Sequence, residues 1–168
     1  AYLVREGLWA EAAAELEAAR GLAPDDPAVR AELGTVYLLS RRAEEGIEEL
    51  EAALSLDPED EWLRGLYGMA LLEAGRGEEG AEELHRAALD RGEDVELQLV
   101  YALAAAGEGW DDEAWNALSR AEAAAEEMDA LVLQEVEEAI EAGPEEALEF
   151  LRRELLSPTL RERLAQRP

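Results

Sequence analysis

Apolar side chains recur at three- and four-residue spacing along most of the chain, which is the spacing of one face of an α-helix. Leu33, Val36 and Tyr37 follow this spacing in one segment, and Ile47 and Leu50 follow it in the next. The sequence has hardly any run of β-branched residues that would favour a strand. The pattern therefore predicts consecutive amphipathic helices and an all-α fold.

The helical pattern repeats every 34 residues. Asp26, Asp60 and Asp94 are separated by this interval, and each precedes a helical segment at the place of an N-cap residue. Further positions recur in the same phase: Gly34 with Gly68 and Ala102, Gly7 with Arg41, Gly75 and Gly109, Ala12 with Gly46, Gly80 and Ala114, Leu16 with Leu50, Leu84 and Leu118, and Ala19 with Ala53, Ala87 and Ala121. One helix pair is too small to bury its apolar stripe alone, so this period predicts stacked helix pairs.

The repeat unit also has a recognisable residue pattern. The second copy reads Leu33-Gly34, Tyr37, Gly46, Leu50, Ala53 and Pro58, and the third reads Tyr67-Gly68, Gly75, Gly80, Leu84 and Ala87. In period and pattern, residues 1–124 resemble the tetratricopeptide repeat family, although Arg41 replaces the glycine between helices and Gly92 replaces the closing proline. The resemblance implies an α-solenoid, a right-handed superhelix of helix–turn–helix repeats, with a partial repeat at 1–26 and repeats at about 27–60, 61–94 and 95–124.

Residues 129–168 follow this register poorly and are interpreted as additional capping helices. A helix over 129–142 is predicted to end at Gly143-Pro144, another to cover 145–156, and a short last one to begin at Ser157-Pro158. The tail is locally basic through Arg152, Arg153, Arg161, Arg163 and Arg167. It either seals the last apolar face of the solenoid or docks electrostatically on the body or on a second copy.

The charge of the chain restricts its partners. Forty-two acidic residues face 15 basic ones, giving a formal net charge of −27. Nucleic acids and anionic membranes are disfavoured as partners because both require a positive surface. The sequence has no cysteine, no apolar run long enough to insert into a membrane and no visible secretory signal, so a cytoplasmic protein is expected. The start at Ala1 suggests an excised fragment.

The sequence carries few residues that could do chemistry. His85 is the single histidine, so no hydrolase-type relay stands out among the serines, and His85 itself is expected to be a solvated surface residue. Gly75 to Gly80 match a G-x-G-x-x-G fingerprint, but a helix precedes them and two glutamates would repel phosphates. The acidic stretches at 57–61 and 111–113 are interpreted as cap-rich loops because they lack a calcium-loop pattern. No enzymatic activity, cofactor or metal is predicted.

The resemblance instead points to a concave groove lined by the first helix of each pair. The groove positions in this sequence are Ala28, Ala31, Thr35, Leu38, Trp62, Gly65, Met69, Leu72, Leu99, Leu103 and Ala106, with Glu96 beside them. Most are apolar, which suits a helical or extended apolar segment of another polypeptide, with Trp62 and Met69 as anchors. In the alternative interpretation, the protein's own flanking residues or a second copy fill the stripe.

Two functions follow from this groove, and a third from the start of the chain. The first is a non-catalytic scaffold for a partner segment, whose basic flanks the acidic rim would select. The second is self-association into a homo-oligomer, and the third is an accessory domain of a larger protein. Family members that grip the acidic tails of heat-shock chaperones use lysine, arginine and asparagine in the groove. None stands at these positions, so such tails are not expected to bind.

The excess of negative charge leads to a prediction about salt. Because 42 carboxylates repel one another at low ionic strength, we expect molar salt to raise the melting temperature by screening this repulsion. Thermal unfolding followed by circular dichroism in low and molar salt measures the effect. A melting temperature that does not change would show that the net charge has no bearing on stability.

Overall fold

The computed structural model describes residues 2–125 and 130–155, which form nine α-helices and no strand. The helices are α1 (Tyr2–Leu22), α2 (Pro27–Leu39), α3 (Ala43–Leu56), α4 (Glu61–Glu73), α5 (Gly77–Asp90), α6 (Val95–Gly107), α7 (Asp111–Ala124), α8 (Ala130–Ala142) and α9 (Pro144–Phe150). A π-helical turn, Leu151–Leu155, continues from α9. The predicted all-α class is therefore confirmed.

The three repeating aspartates begin the first helix of each pair. Asp26, Asp60 and Asp94 lie in extended backbone immediately before α2, α4 and α6. Each carboxylate accepts hydrogen bonds from backbone amides two or three residues ahead, at 2.9 to 3.4 Å. These bonds satisfy amides that the helix itself leaves unpaired. The predicted N-caps are confirmed.

Glycines allow the two helices of a pair to approach closely. A Cβ atom on Gly34 of α2 would lie 2.7 Å from Cγ of Leu50, and one on Gly46 of α3 would lie 3.2 Å from the Gly34 carbonyl oxygen. The same contact recurs between α4 and α5, where a Cβ on Gly80 would lie 2.9 Å from the carbonyl oxygen of Gly68. Backbone therefore packs directly on backbone in both pairs, which explains why these small residues recur in phase.

Three residues link the helices of each of these pairs, and the middle one has a left-handed backbone conformation. The φ angles are 61° at Arg41, 79° at Gly75 and 75° at Gly109. Glycine adopts this conformation without a steric penalty, whereas the Cβ of an arginine crowds the backbone there. The first of the three turns is therefore strained.

The pairs stack into one continuous layered solenoid. α2 packs on α3, α4 on α5 and α6 on α7, and the second helix of each pair also packs on the first helix of the next. A single cluster of buried apolar residues extends from Ala31 in α2 to Leu151 after α9. A smaller cluster around Ala13 and Leu33 joins α1 to α2. The predicted α-solenoid of stacked helix pairs is confirmed.

The start of the chain departs from the repeat. Gly7 shares the register of the inter-helix turns, yet α1 continues through it as one helix of 21 residues. A glycine inside a helix costs only about 1 kcal/mol relative to alanine. A single glycine therefore does not by itself end a helix.

The end of the chain follows the sequence in part. α8 ends at Ala142 as predicted, and Pro144 opens α9. The helix expected over 145–156 is α-helical only to Phe150 and then widens into the π-helical turn, which keeps Leu151 buried. The final predicted helix, with Arg161, Arg163 and Arg167, lies outside the described residues.

Within residues 2–125 and 130–155, no helix combines the length and the apolar character needed to cross a bilayer.

The strained turn at Arg41 leads to a prediction. Replacing Arg41 with glycine removes the left-handed penalty, and we expect it to raise the free energy of unfolding by about 1 kcal/mol in urea denaturation. Arg41→Gln is the matched control, because it removes the same charge but keeps a side chain in the left-handed conformation. If both variants changed stability equally, charge rather than backbone strain would be responsible.

Candidate interaction surfaces

All eleven residues predicted to line the groove lie on the first helices α2, α4 and α6. Ala28 is exposed. Trp62 is half-buried, and so is Glu96, which holds the same position one repeat later. The other nine are buried: Ala31, Thr35, Leu38, Gly65, Met69, Leu72, Leu99, Leu103 and Ala106. The expectation of an exposed apolar stripe is wrong for these nine residues.

Contacts between neighbouring repeats account for part of this burial. A Cβ atom on Gly65 would lie 3.5 Å from Cδ1 of Leu97 and 3.9 Å from Cβ of Ala87, so Gly65 faces the next repeat and not an open groove. The first helices α2 and α4 also contact each other directly. Small residues on these helices let the repeats close up, and bulky ones such as Met69 fill the space between them.

The C-terminal helices pack against α6, the last of the three helices that carry the stripe. α8, α9 and the π-helical turn all contact α6. A Cβ atom on Gly107, the last residue of α6, would lie 2.4 Å from Cγ of Leu148 in α9. The same repeat position holds Leu39 in α2 and Glu73 in α4, so a side chain is missing only where α9 packs. For α6, these contacts support the alternative in which the protein's own flanking residues fill the stripe.

An ion pair that the sequence reading missed recurs in the first two full repeats. Arg30 Nη1 lies 2.9 Å from Oε2 of Glu49, and Arg64 Nη1 lies 3.0 Å from Oε2 of Glu83. Each arginine also donates to the carbonyl oxygen of the proline six residues before it, at 2.7 and 2.6 Å. The pair thus ties three chain segments together. A 34-residue recurrence of arginine and glutamate was visible in the sequence and could have indicated it.

The third full repeat has neither the arginine nor the glutamate of this ion pair. Gln98 stands where Arg30 and Arg64 stand, and Ala117 replaces the glutamate. Gln98 is fully buried and donates through Nε2 to the carbonyl oxygen of Ala88 at 2.6 Å. Its Oε1 has no hydrogen-bond partner among the described residues. The repeat formed by α6 and α7 is therefore the one whose polar contacts differ from the others.

A cavity of about 670 Å³ opens at this same repeat. It lies between α5 and α7, with one wall from α6 and the turn that precedes α7. The lining residues are Glu82, His85, Arg86, Tyr101, Gly109, Trp110, Asp111, Asp112 and Glu113. Aromatic rings and carboxylates share its walls. Cavities of this size hold small organic groups.

The single histidine belongs to this cavity. His85 Nδ1 lies 2.6 Å from the hydroxyl oxygen of Tyr101, and the two ring centroids are 5.2 Å apart. His85 is half-buried, so the expectation of a solvated surface histidine is wrong. The spacing of residues within α5 gives no sign that Tyr101 of the next helix reaches His85.

Burial raises the pKa of three tyrosines in the stack, namely Tyr37, Tyr67 and Tyr101. Burial raises the pKa of Tyr101 to about 12, and the nearby Glu113 carboxylate adds to the rise. Burial also raises the pKa of Tyr37 to about 12, helped by its hydrogen bond of 2.6 Å to Glu17. The pKa shifts of Tyr37 and Tyr101 have the same two causes. A phenolate in either position would be poorly solvated, and it would lie close to a carboxylate.

The other candidate sites are accounted for by the repeat. Gly75 forms the inter-helix turn and Gly80 packs on Gly68, so the G-x-G-x-x-G segment is a structural feature of the helix pair. Asp111 and Asp112 begin α7, where carboxylates favour the helix N-terminus. In the part of the chain that the structure describes, no group of three histidine, aspartate or glutamate side chains is placed to hold a metal ion.

A tetratricopeptide repeat family model matches residues 37–106, from the last turns of α2 to the end of α6. Over these residues, the chain is therefore similar to tetratricopeptide repeats. Such repeats generally mediate protein–protein interactions and are typically non-catalytic. No curated protein gives a significant match to the chain.

The raised tyrosine pKa values predict how the stability of this chain depends on pH. The folded pKa lies above the ordinary value of about 10, so the folded state binds more protons between pH 10 and pH 12. The stability contribution is then complete below pH 10 and is lost as the pH rises towards 12. The chain has no cysteine, and all its basic side chains except His85 are arginines, so few other groups titrate there.

Urea unfolding at several pH values between 8 and 11.5 measures this loss, and absorbance at 295 nm follows tyrosine ionisation. We expect Tyr37→Phe to flatten the fall in stability above pH 10, although it lowers stability at pH 8 by losing the bond to Glu17. An equally steep fall in this variant would contradict the assignment to Tyr37.

Proposed function

We propose that the chain is a non-catalytic scaffold that binds another polypeptide. The observation that carries this proposal is the stack of helix pairs in 34-residue register, with tetratricopeptide repeats at 37–106. Such a stack offers a long surface of fixed shape, and its curvature suits an extended or helical segment of a partner.

The charge of the surface defines the partner further. Forty-two carboxylates outnumber 15 basic residues, and several of the arginines are already engaged in ion pairs within the repeats. A segment with basic residues would gain from this field, and its rate of encounter would rise. An acidic segment would be repelled. We therefore propose a partner segment with basic flanks.

We propose an apolar contact with fewer residues than the sequence alone indicated. The inner side of α2 and α4 is buried at Leu38, Met69 and Leu72, so a partner would not reach these side chains. Ala28 is exposed and Trp62 is half-buried at the start of α4, so an apolar group of the partner would meet this rim. A large rigid ring such as that of Trp62 is a frequent anchor of binding energy at protein interfaces.

Selection from a library of random twelve-residue peptides on the immobilised protein tests this proposal. We expect the selected peptides to be enriched in arginine, lysine and apolar residues, and their affinity to fall about tenfold or more between 50 and 500 mM salt. Peptides with the acidic character of chaperone tails are expected not to bind at micromolar concentration. Failure to select any peptide, or enrichment of acidic ones, would contradict the proposal.

Two tryptophan variants test the rim. Trp62→Ala should lower the affinity of the selected peptides about tenfold, which is the loss typical of an interface anchor. Trp115→Ala is the matched control, because Trp115 is a partly exposed tryptophan on α7, away from the first helices. Equal effects of the two variants would remove Trp62 from the site. Light scattering across protein and salt concentrations tests the competing outcome, in which the partner is a second copy of the chain.

A further inference from the structure

The repeat register shows that an arginine is missing beside the cavity between α5 and α7. Arg42 and Arg76 precede α3 and α5, and the residue in the same position before α7 is Trp110. Three residues later in each repeat stands a glutamate. Trp110 therefore takes a place that the other two repeats give to a cation.

In the two repeats that keep the arginine, the glutamate binds it. Arg42 Nε donates to Oε1 of Glu45 at 3.0 Å, and Arg76 Nε donates to Oε1 of Glu79 at 2.9 Å. These guanidinium groups hold the pKa of both carboxyl groups below the usual value. The third glutamate, Glu113, lines the cavity and forms no ion pair with any described residue. The same carboxylate position that binds a guanidinium twice in this chain is thus left open once.

The surroundings of Glu113 are those of a cation site. Glu82, Asp111 and Asp112 add three more carboxylates to the lining, against the single guanidinium of Arg86. Arg86 is itself paired with a glutamate outside the lining, at 2.7 Å. Trp110 is half-buried in the wall, and the face of an indole ring attracts cations.

The shape of the site favours an organic cation over a metal ion. The cavity measures about 670 Å³, far more than one ion fills, and no group of metal-binding side chains is assembled among the described residues. Arginine suits it better than lysine, because a planar guanidinium stacks on an indole and donates two parallel hydrogen bonds to a carboxylate.

We propose that this cavity binds an arginine side chain of the partner polypeptide, with the guanidinium stacked on Trp110 and donating to Glu113. The inference rests on the proposed function in one respect, namely that the arginine belongs to another polypeptide. It names a second contact, separate from the rim at Trp62. The bound guanidinium forms with Glu113 the ion pair that each of the other two repeats forms with its own arginine.

The single histidine provides a direct reporter. Because His85 lines the cavity and is the only histidine, its imidazole signals in a ¹H–¹³C NMR spectrum report on this site alone. The probe is a capped Gly-Gly-Arg-Gly-Gly peptide, compared with peptides that carry citrulline or lysine in place of arginine. We expect the arginine peptide to shift the His85 signals saturably, the lysine peptide to bind several-fold more weakly, and the neutral citrulline peptide to give no shift.

Matched charge variants locate the site. Asp112→Asn with Glu113→Gln should weaken the arginine peptide about tenfold or more. Glu78→Gln with Glu79→Gln removes two charges from the same helix positions one repeat earlier, and should change the affinity less than twofold. Equal losses in both double variants would show a general charge effect and overturn the site.

A third variant uses the repeat itself. Trp110→Arg supplies the arginine that the other repeats carry, so we expect an internal ion pair with Glu113 and loss of peptide binding. Circular dichroism confirms that the variant is folded. Undiminished binding in the folded variant would overturn the role of Trp110.

The outcomes separate this inference from the proposed function. Shifts of His85 with the arginine peptide, together with a failed library selection, would support the site and contradict the wider scaffold proposal. Selected peptides that leave the His85 signals unchanged would do the reverse. His85 signals that change with protein concentration alone would identify a second copy as the occupant and overturn the assignment to a partner.

Discussion

The close approach of two helix backbones within each pair is the contact on which the rest of this structure depends. Gly46 lies against the Gly34 carbonyl and Gly80 against the Gly68 carbonyl, and Leu50 and Leu84 pack where Gly34 and Gly68 have no side chain. Backbone contact of this kind fixes the distance and the angle within a pair, and therefore which side chains reach the next pair. The α6 and α7 pair carries alanine at both corresponding positions and keeps the same arrangement.

On this regular frame, the differences between repeats carry the information about function. The first two full repeats hold their segments together with the same half-buried ion pair, between Arg30 and Glu49 and between Arg64 and Glu83. The third repeat lacks it, and also lacks the arginine before its second helix. The cavity with His85 lies at this repeat, and the C-terminal helices also dock on it. Because the α6 and α7 repeat lacks these internal ion pairs, its surface and its carboxylates can contact another molecule.

Much of the fold was accessible from the sequence because it is written in local signals. Asp26 and its equivalents form the N-caps that their positions predicted, since a cap depends on amides only two or three residues away. Gly7 shows the limit of the same reasoning. The register marked it as a turn, but a turn forms only where two helices pack across it, and α1 continues through the glycine.

The candidate site was less accessible. The apolar character of Met69 and Leu103 was read correctly, but an apolar residue is equally suited to an open groove and to a buried contact. The contact of His85 with Tyr101 depends on how α6 lies against α5, which no spacing within either helix encodes. Trp110 was visible in the register as a departure, although its meaning required the cavity beside it.

By itself, the sequence determined the helices, their pairing and the 34-residue register, because these follow from hydrogen bonds and side-chain spacing along a few turns of chain. Only the tertiary structure decided which apolar face is covered. α9 packs on α6 through Leu148 and Gly107, a contact between segments that no repeat relates. Such contacts depend on the three-dimensional fit of distant segments, and periodicity along the chain carries no record of that fit.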